Sequence, residues 1–152
     1  MSSLVEKTDD STITSIVEPT VEIVQRLIDT STINPMSTTK IPISLTIFSK
    51  TSCHVWIGSG QTQAKFGGLC VSFPHKNNYD NSTLPTTSHL IGGDTNDETI
   101  SLQIAQRISI KTEWPCLVSC DYEVDLKDDS GGMILKVIEK EIINIISEFK
   151  NK

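Results

Sequence analysis

Apolar and polar positions along this chain repeat with two periods, and the switch between them outlines the fold. Ile41, Ile43, Leu45 and Ile47 alternate with Pro42, Ser44 and Thr46, the period of two expected of a half-buried strand. Pro42 near its beginning suits a strand start or an edge. After a turn at Lys50–Ser52, the run Cys53–Ile57 sets Cys53, Val55 and Ile57 on one side and His54 and Trp56 on the other. A strand that is apolar or aromatic on both sides implies a sheet covered on both faces. Leu69, Val71 and Phe73 alternate with Cys70 and Ser72 in a third strand that Pro74 stops, and Thr86–Ile91 reads as a fourth.

The period then lengthens. The stretch Leu90–Thr112 reads as a strand end, a tight acidic turn and a helix from about Asn96 to Lys111. Thr95 and Glu98 have capping-box spacing, Asp94 and Asp97 add negative charge where the helix dipole is positive, and Gly92-Gly93 permits the sharp turn before them. Ile100, Ile104 and Ile108 form a stripe with Ala105 alongside. Trp114-Pro115 ends the connection, and Cys116, Val118, Cys120 and Tyr122 share one face of the next strand. A second acidic turn, Asp128–Gly132, leads into a long helix with Ile134, Leu135, Ile138, Ile142, Ile145, Ile146 and Phe149 along one side. The expected class is α+β: an antiparallel sheet with two helices in the order β-β-β-β-α-β-α, preceded by a flexible N-terminal leader.

Composition sets the domain boundary. Residues 1–40 hold 14 Ser or Thr and few aromatics, too little apolar surface to offset the entropy of ordering, so they are expected to be a mostly disordered leader before a domain at 41–152. Within the leader, Val21, Val24 and Ile28 recur at helical spacing with Ile23 and Leu27 beside them, the pattern of a short amphipathic helix.

Charge and chemistry remove several function classes. The 152 residues carry 13 basic and 19 acidic side chains, a net charge of −6, which argues against nucleic-acid binding through clustered Lys and Arg. No apolar run approaches a membrane span, and the N-terminus lacks the order of a secretion signal, so a cytoplasmic location is expected, with the nucleus also open to the chain. Cys53, Cys70, Cys116 and Cys120 lie in predicted strands without a CxxC and read as small buried hydrophobes. His54, His75 and His89 stand singly and supply no zinc pair, and GSGQT at 58–62 continues with Gln61 and Thr62 where a phosphate loop needs a Gly-Lys-Ser/Thr ending that opens a helix. The acidic clusters Asp94/Asp97/Glu98 and Asp128/Asp129 sit at helix starts, where capping alone accounts for them. No catalytic, cofactor or metal residues are assigned. The residues alone describe a small acidic domain that binds another protein, with a cysteine-dependent enzyme such as a thiol transferase as the rival reading.

VWIG at Val55–Gly58, LIGGDTND at Leu90–Asp97, AQRISIKT at Ala105–Thr112 and the closing amphipathic helix, in that order, resemble the proteasome assembly chaperone 4 family over about residues 44–150. The leader does not match, His75–Pro85 looks like an insertion, and Gly92-Gly93 is one glycine longer than the usual turn. The resemblance implies a non-enzymatic factor without a cofactor. Such proteins pair with proteasome assembly chaperone 3, and the heterodimer binds α-type subunits of the 20S core particle as the α-ring is built. An adaptor unrelated to the proteasome remains the alternative. With the helices on the Cys53/Val55/Ile57 side, His54 and Trp56 point toward a second layer and are the candidate partner interface.

Overall fold

The structure, a computed structural model, describes residues 20–60, 63–75, 84–92, 95–123 and 129–152; of residues 95–99 it describes the backbone alone. Six strands form one sheet in the order β1-β2-β3-β6-β4-β5. The strands are β1 (Val21–Asp29), β2 (Lys40–Phe48), β3 (Ser52–Ile57), β4 (Gly68–Phe73), β5 (Thr86–Ile91) and β6 (Cys116–Cys120), with helices α1 (Thr95–Thr112) and α2 (Asp129–Lys150). Every pairing is antiparallel except that of β3 with β6, which is parallel.

Three expectations are corrected by this arrangement. Val21–Asp29 is not a helix but a nine-residue edge strand, in register with β2 from Val21 opposite Phe48 to Asp29 opposite Lys40. The sheet therefore has six strands and reaches into the segment read as leader. Along β1, Val24 and Ile28 face the core while Ile23 and Leu27 face away, so apolar residues fall on both sides and period two is lost. The sheet is also not wholly antiparallel, because α1 carries the chain from the outer strand β5 back into the sheet, where β6 runs alongside β3. Finally, Ser130, Gly131 and Gly132 form the first turn of α2 rather than a turn before it. Glycine costs little at a helix start, where backbone N–H groups have no intrahelical partner, and Asp129 there suits the dipole. Asp94 and Asp128, and the side chains of Thr95, Asp97 and Glu98, lie outside the described residues.

Cross-strand partners share a face, and the registers place Ile41, Ile43, Leu45 and Ile47 of β2 with Cys53, Val55 and Ile57 of β3 and Cys116, Val118 and Cys120 of β6. Both helices pack on this face. Ile100, Ile104 and Ile108 of α1 and Ile138, Ile142 and Ile146 of α2 join these strand residues in one core. α1 lies over β4, β5 and β6, and an Arg26–Glu141 ion pair of 3.9 Å ties β1 to α2. Ser101 fastens α1 to two strand ends, donating to the Gly68 carbonyl at 3.3 Å and accepting from the Cys120 N–H at 3.2 Å. At the other end of α1, Glu113 takes a left-handed φ of 57°, and Lys150 of α2 donates to the Thr112 carbonyl while lying 5.7 Å from the centre of the Trp114 ring.

Ile108 is 0% exposed and Ile110, two residues on, 53% exposed, which sets the rotation of α1. Ile108→Ala is expected to cost about 2–5 kcal/mol in denaturant unfolding, through lost burial and the cavity left behind. Ile110→Ala is expected to fall within about 0.5 kcal/mol of wild type.

Candidate functional site: the open face of the sheet

The opposite face of the sheet has no helix on it among the described residues, yet it is apolar. Register places Val21, Ile23 and Leu27 of β1, Phe48 of β2, His54 and Trp56 of β3, Leu117 of β6, Leu69, Val71 and Phe73 of β4, and Ile91 of β5 on this side. On β4 the larger apolar residues are the ones that face away from the helices, and the core side receives only Gly68, Cys70 and Ser72. Ile23 is 66% exposed, Leu27 61% and Phe73 51%. An apolar sheet face of this kind is what a protein or ligand partner covers.

Both sequence-predicted residues lie at the centre of this face, and both are half-buried. Trp56 is held by its own chain. Its indole N–H donates to the Lys65 carbonyl at 3.0 Å, and a Cβ on Gly58 would stand 2.5 Å from the ring and 2.8 Å from Pro42, so only glycine leaves the ring its place. The His54 ring stacks with Phe66 at 6.5 Å between centroids, between Thr46 on β2 and Leu117 on β6. The stretch from Lys65 to Phe66 thus covers the middle of the face, Val71 of β4 is buried as well, and the exposed apolar residues lie at the two flanks: Val21, Ile23 and Leu27 on β1, and Phe73 and Ile91 on β4–β5. The flank residues were not singled out in the sequence. Their signal was the alternation of Leu69, Val71 and Phe73, which marks an apolar face without saying that the face is the outer one.

Chemically reactive groups lie elsewhere. All four cysteines are buried and none forms a disulfide. The Cys53 and Cys116 sulfurs meet at 3.5 Å across the parallel pair, and the hydrogen bond with Cys53, then burial, push the Cys116 thiol well above its usual range. A thiol held protonated in this way is a poor nucleophile. Cys70 Sγ lies 3.2 Å from His89 Nδ1, on the helix side of β4 and β5. Among the described residues no three His, Cys, Asp or Glu side chains gather as a metal site would require, and no helix is long and apolar enough to cross a membrane.

The sequence pattern of proteasome assembly chaperone 4 matches residues 40–122, more than half of the chain. The protein belongs to the proteasome assembly chaperone 4 family. The matched span runs from β2 to just beyond β6 and contains both His54 and Trp56. Among solved structures, a chain from a chaperone complex for yeast 20S proteasome assembly is similar with a TM-score of 0.57 at 15% identity, over 85% of this chain and 97% of that one. At that identity the likeness speaks for the fold. No curated protein sequence matches the chain. Membership makes this protein a chaperone of proteasome assembly, built on a sheet with helices on one face and, among the described residues, none on the other.

Two outcomes follow from the geometry. Burial lowers the pKa of His54 below its ordinary value of 6.5, so in the region between the two values the unfolded chain binds the proton more readily. Stability is therefore full above about pH 6.5 and declines as pH falls toward the folded-state value. Between about pH 7 and about pH 5.5 the melting temperature of wild type is expected to fall more than that of His54→Asn; parallel curves would contradict this. Alkylation by N-ethylmaleimide at neutral pH is expected to be at least about 100-fold slower in the native chain than in the guanidinium-unfolded chain, as access to the thiols requires opening of the core.

Proposed function

We propose that this protein works as one half of a heterodimer. The other half is a second small chaperone, proteasome assembly chaperone 3, whose own sheet covers the open face; the pair binds α-type subunits of the 20S core particle and favours their correct order in the α-ring. The observation that carries the reading is the apolar sheet face with exposed flanks at Ile23, Leu27 and Phe73. A second sheet stacked at about 10 Å would complete a sandwich and bury those residues together with Leu69 and Leu117. The solved chain of similar fold comes from a chaperone complex for yeast 20S proteasome assembly, and that supports a paired state here as well.

The work itself needs no chemistry. A dedicated partner that covers a sticky surface and presents a fixed template discriminates between neighbours through binding free energy alone. We assign the protein no catalytic step and no cofactor, in keeping with four buried thiols. His54 and Trp56 contribute as the semi-rigid centre of the interface, and the β1 and β4 flanks contribute exposed area around them.

Affinity purification of the full chain from cells is expected to recover the second chaperone and α-type subunits without mature β-type subunits. Ile23→Glu/Phe73→Glu, which alters only exposed side chains, is expected to keep the melting temperature within about 2 °C of wild type while reducing recovery of the partner at least about tenfold. Undiminished recovery with the double variant, or a wild-type eluate without α subunits, would contradict the reading.

A further inference from the structure

The helix layer carries a second surface, on the side of the molecule away from the open face. Its centre is Glu139 of α2, whose side chain is only 7% exposed and whose two oxygens each meet one cation from α1: Oε2 lies 3.2 Å from Arg107 Nη1 and Oε1 lies 3.1 Å from Lys111 Nζ. Lys136 and Lys140, a turn apart on α2, flank the same carboxylate and have no carboxylate of their own among the described residues. The groove between the helices here has a volume of about 260 Å³ and is lined by Lys111, Lys136, Glu139, Lys140, Ile143 and Asn144. Glu141 turns away to Arg26 on β1 and does not neutralise it.

Among the described residues, four cations around one carboxylate leave a local charge of +3 on a chain whose net charge is −6. Glu139 fixes Arg107 and Lys111 while engaging only one nitrogen of each, so a guanidinium with five N–H donors and an ammonium with three keep donors for a ligand. Ile143, partly buried against the core, gives the groove an apolar wall, and Met133 and Val137 stand exposed on the same outer side of α2. A long polyanion would extend past the groove into the repulsion of the acidic remainder of the surface, whereas a short acidic segment would not.

We infer that the groove between α1 and α2 is a docking site for an acidic segment of a partner protein, whose carboxylates meet Lys136 and Lys140 while an apolar side chain rests on Ile143. This surface is separate from the open sheet face, and its occupant is held chiefly by charge, so it exchanges readily and weakens with salt.

The test is fluorescence anisotropy of the full chain with a short fluorescein-labelled peptide of glutamate and leucine. Saturable binding is expected that weakens as salt is raised. Lys136→Glu/Lys140→Glu is expected to reduce affinity at least about tenfold, Lys136→Gln/Lys140→Gln to reduce it less, and Lys50→Glu, a lysine outside the groove, to leave it unchanged. All three variants change exposed side chains, and an unchanged melting temperature verifies that each is folded. Equal affinity of wild type and Lys136→Glu/Lys140→Glu, absence of saturable binding, or tighter binding of a single-stranded RNA or of anionic vesicles than of the peptide would each overturn the proposal.

Discussion

A β-sheet has two faces, and among the described residues helices cover one of them here. The helices α1 and α2 bury the Ile41/Ile43/Leu45/Ile47, Cys53/Val55/Ile57 and Cys116/Val118/Cys120 side into a single core, which accounts for the stability of the fold without accounting for the rest of its sequence. The other face holds apolar residues on all six strands, an arrangement that hydrophobic burial leaves incomplete in an isolated chain. The proposed pairing rests on that imbalance. Family membership places the protein in proteasome assembly, where a partner on the open face would complete a second layer.

Local detail supports the division between the faces. On the helix side, polar contacts serve to lock elements together: Ser101 joins α1 to β4 and β6, and Lys150 joins the end of α2 to the end of α1. On the open side, they hold the centre flat. Trp56 donates to a carbonyl of its own loop and lies against Gly58, where no side chain would fit, so the ring is fixed before any partner arrives. Preorganisation of this kind reduces the entropy lost on association.

The parts of the fold legible in the sequence were those with a single buried face or stripe. β2 and α2 each show one clean period because one side meets the core and the other does not, and β3 disclosed both of its faces because His54 and Trp56 are too large to belong to a solvated surface. β1 was illegible for the same physical reason turned around: Val24 and Ile28 serve the core while Ile23 and Leu27 serve the open face, and the sum of two interleaved sets mimics helical spacing. The parallel pairing of β6 with β3 is a matter of chain routing, which local pattern does not encode. His54 and Trp56 were correctly brought to one face, but the exposed flanks around them depended on knowing which side of β4 the helices would take.

The central claim is that assembly with the second small chaperone covers the open face and leaves the helices free. Hydroxyl-radical footprinting of the purified pair against the isolated chain measures this directly, since it reads side chains rather than backbone. Oxidation of Phe73, Phe48 and Phe66 is predicted to fall several-fold on pairing, while oxidation of Met133 on the outer side of α2 stays constant. Protection of Met133 with Phe73 and Phe48 unchanged would place the partner on the helices and contradict the account.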